Sequence, residues 1–125
     1  MKEIKLKSGE ILSLGETPFP DSWALFQAFL RCMDGVDVQN KDQFDFALNA
    51  AFLSSSEVER CLWVCLSRCL YGKVKITKET FEPVAARTDF IEVCLEVAQE
   101  NVSPFTPGLF TGLKRLSGMI ENTLQ

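Results

Sequence analysis

Residues 56–76 read SEVERCLWVCLSRCLYGKVKI, and their pattern decides the fold class. Ser56 and Glu59 have capping-box spacing, so a helix is expected to open there. Val58, Cys61, Leu62, Cys65, Leu66, Cys69 and Leu70 follow the i, i+3, i+4, i+7 rhythm of an amphipathic helix, which predicts an end near Tyr71-Gly72. Trp63 widens the apolar stripe to roughly half the circumference at about 100° per residue. A stripe that wide suits the central helix of a domain. Beyond Gly72, Val74 and Ile76 alternate with Lys73 and Lys75, the period-2 mark of a short strand.

Upstream, Asn40 and Gln43 have capping-box spacing for a helix over about 41–53. Phe44, Ala47, Leu48, Ala51 and Phe52 form its main stripe, and Phe46, Ala50 and Leu53 lie on the other side. An earlier helix is expected from an Asp21 cap to about Met33, with Gly35 as its stop. Trp23, Phe26, Leu30 and Met33 share one stripe with Phe29 at its edge, while Leu25, Ala28 and Cys32 make a weaker opposite face. Residues 2–7 and 10–14 read as a β-hairpin turned by Ser8-Gly9, and 15–20 as a loop.

Downstream, Glu82-Pro83 can start a helix with Pro83 at its first position. A long helix follows over about 88–102, with Phe90, Val93, Cys94, Val97 and Ala98 inward. A last one, about 104–122, carries Phe105, Leu109, Leu113, Leu116 and Ile120 on one face, weakened by Pro107 and three glycines. The expected fold is α+β, mainly α: an N-terminal β-hairpin plus a short strand packed with about five helices, in one domain over 1–125.

The 125 residues suit one domain able to fold on its own core. The net charge of −4 argues against a general nucleic-acid binder, which needs clustered Lys and Arg to displace counterions. The densest basic run, Lys73, Lys75 and Lys78, reads as a solvated strand edge. The chain has no His, so the commonest general base and metal ligand is missing. Five Cys, an odd number, and a polar N-terminus point to a reducing cytoplasm with free thiols. No apolar stretch approaches the roughly 20 residues of a membrane span.

Cys61, Cys65 and Cys69 invite a metal or redox reading. Side chains at i and i+4 of a helix start about 5–6 Å apart, whereas a disulfide wants β-carbons about 3.8 Å apart. Structural zinc sites draw ligands from separate segments. The three read instead as small hydrophobes on the apolar stripe. Glu92, Glu96 and Glu100 form an acidic row on the long helix, either a solvated face or a docking strip for a basic or amphipathic partner. Leu25, Phe46 and Phe110 fall off the main stripes. Each reads first as a second core contact and second as an exposed anchor. With the secondary faces of the first two helices, they are the best pointer to a protein–protein surface. No phosphate-binding glycine loop, nucleophile elbow or zinc motif is present, and no cofactor or catalytic residue is expected.

Leu62 to Phe105 reads LWVCLSRCLYGKVKITKETFEPVAARTDFIEVCLEVAQENVSPF. Together with the opening KEIKLKSGE and the PFPDSWALFQAFL segment, it resembles the tail assembly chaperones of long-tailed phages and prophages of Gram-positive hosts. The shared features run in the same order through most of the chain. They are an N-terminal hairpin, a Trp-bearing first helix, a central helix with Trp63, Cys65, Arg68 and Cys69, and a Lys-rich strand leading to Thr80-Phe81-Glu82-Pro83. Asp89-Phe90-Ile91-Glu92-Val93-Cys94, Glu100-Asn101 and Pro104-Phe105 complete the pattern. The chain departs from it at the short turn around Gly72 and at the poorly helical Thr106-Pro107-Gly108.

The resemblance implies a non-enzymatic role in building the tail. Such chaperones bind the long, helical tape measure protein, keep it soluble, and help tail tube protein assemble around it. They act in the cytoplasm of the bacterial host and are absent from the mature virion. Self-association fits the same picture; no nucleic acid or membrane partner is expected. The competing readings are a head–tail connector or tail completion protein of the virion, and a thiol-dependent enzyme using a helix Cys.

Overall fold

Two β-hairpins from distant parts of the chain join into one sheet in the computed structural model, which describes residues 1–33, 35–37, 40–109, 111–112 and 115. Strands β1 (Lys2–Lys5) and β2 (Ile11–Leu14) form the first, with Lys2 opposite Leu14 and Lys5 opposite Ile11. In its turn, Leu6 N–H donates to the Glu10 carbonyl at 2.8 Å and Gly9 N–H to the Leu6 carbonyl at 2.9 Å. The free edge of β2 pairs with β3 (Leu70–Tyr71), and β3 turns back into β4 (Val74–Lys75). The order is β1-β2-β3-β4, all antiparallel, so Lys73, Lys75 and Lys78 do sit on and beside an exposed edge strand. The second turn holds only Gly72 and Lys73. A two-residue hairpin needs a positive φ at its first central position, and Gly72 supplies +65°.

This second hairpin corrects the reading of the central helix. Helix α3 spans Ser56–Leu66, capped one residue early by Ser55, whose hydroxyl accepts the Val58 N–H at 3.2 Å. The chain then tightens: Arg68 N–H donates to the Cys65 carbonyl at 3.1 Å and Cys69 N–H to the Leu66 carbonyl at 2.9 Å. From residue 70 the backbone pairs with β2 instead of continuing the helix. Cys69 remains buried through the change, so the apolar rhythm conceals the break.

Helix α1 spans Phe19–Arg31, beginning three residues earlier and ending about two residues sooner than expected. Pro18 takes the cap position and Pro20 the first turn, where a missing N–H costs nothing; Asp21 is a first-turn acid, not the cap. Helix α2 (Lys41–Ser54) begins as expected: Asn40 Oδ1 accepts the N–H groups of Asp42 at 3.1 Å and Gln43 at 3.2 Å. Gln43 does not close the box, because its Oε1 accepts the Asp37 N–H at 3.3 Å. A 3₁₀ turn at Lys78–Phe81 precedes the single-turn α4 (Val84–Arg87), for which Pro83 is the cap, and α5 covers Phe90–Val102. A 3₁₀ turn at Ser103–Phe105 leads into helical residues 106–109. Residues 111, 112 and 115 of the expected last helix are also helical, while Phe110, Leu113, Leu116 and Ile120 lie outside the described residues.

Helix α3 packs against α1, α2 and α5, as a central helix should. Buried side chains from the hairpins and helices form one cluster, among them Leu12, Leu25, Phe29, Phe44, Leu62 and Val93. The architecture is α+β and mainly α, with two hairpins where one hairpin and a lone strand were expected. One buried carboxylate ties the layers together. Asp89, 4% exposed at the start of α5, accepts hydrogen bonds from Ser8 Oγ at 2.7 Å and Tyr71 Oη at 2.5 Å. Burial, then this bond, pushes the Tyr71 phenol up to about 12.

Candidate protein-binding surface

The off-stripe residues part company in the structure. Leu25 is 0% exposed, because α1 packs against both α3 and α5 and so buries its weaker face as well. It is a core contact and no part of a surface. Trp23, expected inward, is instead 37% exposed. Phe46 takes the other reading: it stands 76% exposed on the outer side of α2. Phe110 lies outside the described residues.

The acidic row is engaged at both ends. Glu92 Oε1 accepts the Lys7 backbone N–H at 3.2 Å, and Glu100 Oε2 meets Lys2 Nζ at 3.2 Å. The row runs beside the N-terminal hairpin, which uses two of its three carboxylates; Glu96 between them is half-buried. These carboxylates help seat the hairpin on α5, a use that the helical spacing did not reveal.

One apolar surface left open among the described residues is on α2. Phe46, Ala50 and Leu53 form one outer row, and Leu53 is 64% exposed. A groove of about 520 Å³ runs beside Phe46, Ala47 and Ala50 and is closed by Cys32 and Val36 from the connection between α1 and α2. Leu53 borders a smaller depression of about 190 Å³ floored by Phe52, Trp63 and Phe90. Helix α2 therefore has two apolar faces. Phe44, Leu48, Ala51 and Phe52 fill the core, and a second set faces solvent.

Sequence reasoning missed a second exposed feature. Phe19, 65% exposed, stacks on Trp23 with ring centroids 6.4 Å apart and planes 8° apart, and Trp23 meets Phe105 edge-on at 5.3 Å. Phe19 and Phe105 line a cleft of about 820 Å³ between the hairpin, the start of α1 and the end of α5. Phe19 falls in the 15–20 stretch that reads as a loop, whereas α1 begins at it. The signal that could have found it is the Pro18/Pro20 pair, which suits an earlier helix start.

The core cysteines are packed as free thiols. All five are free; Cys65, Cys69 and Cys94 are buried, Cys61 is half-buried and Cys32 is exposed. Burial pushes the thiols of Cys65 and Cys94 up to about 12 and raises that of Cys69. These three remain protonated at neutral pH, and a protonated thiol is a poor nucleophile and metal ligand. Among the described residues, no group of three His, Cys, Asp or Glu side chains could hold a metal ion, and no helix is long and apolar enough to cross a membrane.

Comparison with protein-family models, curated proteins and solved structures finds no match to this chain.

Proposed function

We propose that this chain is a non-enzymatic tail assembly chaperone of a long-tailed phage or prophage. It binds the tape measure protein in the host cytoplasm and assists assembly of tail tube protein around it. The observation that carries the reading is the outward face of α2. Phe46 and Leu53 stand in water on a helix whose other face already fills the core. Fully burying a side chain of this size stabilises an interface by about 1.5–3 kcal/mol, which favours covering both. The resemblance of Leu62 to Phe105 to tail assembly chaperones supplies the partner.

A long helical partner presents amphipathic segments that aggregate when uncovered. A small acidic domain with a spare apolar face covers such a segment while its own charge stays in water. Several copies along one partner gain avidity from weak individual contacts.

Co-expression with the adjacent tape measure protein, followed by pull-down and size-exclusion chromatography, tests the proposal. The expected result is a soluble complex holding several copies of this chain. An insoluble tape measure protein with this chain eluting alone overturns it. So does recovery of the chain from purified mature virions, the result expected of a head–tail connector or tail completion protein.

A further inference from the structure

We infer that the α2 groove takes an amphipathic helix that carries a lysine or arginine beside its apolar stripe, the stripe lying along Phe46, Ala47 and Ala50 and the cation at Asp42. The inference rests on the binding role proposed above and adds the chemistry of the occupant.

Asp42, Phe46 and Ala50 are spaced four residues apart and all line the groove. Asp42 is the only charged side chain among the described residues that line it. Asp37, another acid, is exposed in the connection next to the lining residue Val36. The cations of neighbouring segments point elsewhere. Arg31, in the last turn of α1, is paired with Glu57 of α3. Lys41 lines a different depression, with Phe44 and Leu48. The groove is thus apolar along its length and negative at one end. A partner that brings a cation there gains a charge pair, and one that brings an acid is repelled.

The groove also selects the backbone form of its occupant. An extended peptide must find partners for its own N–H and C=O groups. The groove is walled by a helix and its preceding connection, no strand residue is among its described lining, and most of its lining side chains are apolar. A helix bonds its backbone internally and makes no such demand. Residues 42–54 of α2 span about 18 Å at about 1.5 Å per residue, enough for roughly three turns of a partner helix. The small side chains of Ala47 and Ala50 let that helix approach closely.

Cys32 lines the groove and is exposed, so its alkylation reports occupancy. The probes are two synthetic amphipathic peptides of about 18 residues with the same Leu/Ala stripe, one flanked by Lys and one by Glu. Alkylation of Cys32 is followed by mass spectrometry on the full chain. The Lys-flanked peptide is expected to slow it by about tenfold, and the Glu-flanked peptide to leave it unchanged. Asp42→Asn removes the discrimination, Asp42→Lys reverses it, and Phe46→Glu abolishes protection by either peptide. Both side chains are exposed, and circular dichroism checks that each variant folds. Equal protection by the two peptides, protection by neither, or protection that survives Phe46→Glu overturns the inference.

Co-expression with tape measure protein separates the two proposals. If wild type and Phe46→Glu both keep it soluble, the groove is not the site and the chaperone role stands. If the peptides discriminate as expected and wild type leaves the tape measure protein insoluble, the groove stands and the chaperone role falls.

Discussion

Asp89 receives hydrogen bonds from two donors that lie far from it in the chain, Ser8 in the first hairpin turn and Tyr71 in β3. A hydrogen bond to a charged group is worth about 1.5–3 kcal/mol, and truncation also leaves the Tyr71 hydroxyl without its acceptor. Asp89→Ala is therefore expected to lower unfolding stability by about 2–3 kcal/mol, read as a lower urea midpoint at unchanged slope. Asp89 gave no sign of this in the sequence, where it reads as one acid near a helix start. Its role depends on two distant donors that no local pattern names. The cysteine stripe was legible, because apolar spacing on a helix reports burial directly. That burial has a pH consequence. Cys65, Cys94 and Tyr71 are held protonated in the fold, each up to about 12, while the unfolded chain ionises them near their ordinary values. Their contribution is fully present below those ordinary values and is lost as pH rises toward 12. Stability is expected to fall from about pH 9 upward, and a Cys65→Ala/Cys94→Ala variant to show a shallower alkaline slope in denaturant titrations.

Helix α2 separates the two kinds of apolar residue that a helical wheel cannot rank. Phe44 and Leu48 are buried and Phe46 and Leu53 are exposed, yet all four sit in one helix of similar composition. Leu48→Ala is expected to cost about 2–5 kcal/mol and Phe46→Ser less than about 0.5 kcal/mol, measured by denaturation of the isolated chain. An equal loss from both would place Phe46 in the core. The cap of α2 was legible because Asn40 acts on its own first turn, and Asn40→Ala is expected to cost about 1 kcal/mol. The partner of Gln43 was not, since Asp37 belongs to the connection before the helix. Strand β3 was hidden for a related reason. Leu70 and Tyr71 continue the apolar rhythm of α3, and only the free edge of β2 recruits them into a sheet. Contact at that junction is close: a β-carbon on Gly15 would lie 1.9 Å from the Arg68 carbonyl oxygen. Gly15→Ala must push the end of β2 away from the segment after α3, at a cost of about 1–3 kcal/mol.

Across the whole molecule, the sequence pattern conveyed the class and the order of helices, while tertiary contacts decided which faces stayed open. Leu25 is covered because α1 lies against two helices at once, and the Glu92–Glu100 row is engaged because the hairpin lies beside it. Both depend on how elements meet, which periodicity within one element does not encode. The exposed ion pairs Lys2–Glu100, Arg31–Glu57 and Arg87–Glu82 are solvent-screened accessories to this packing. Raising NaCl to about 0.5 M is expected to leave the melting temperature nearly unchanged, and a large drop would show that charge pairs hold the elements together. The four-stranded sheet has a further consequence during translation. A ribosome delivers β1 and β2 first, whereas β3 emerges only after α1, α2 and α3 have been made. Throughout that interval β2 presents an unpaired edge, the feature that invites pairing with a neighbouring nascent chain. Closure of the sheet is thus the last act of assembling the first two-thirds of the protein, and a stalled or truncated product ending before Leu70 is the form most exposed to aggregation.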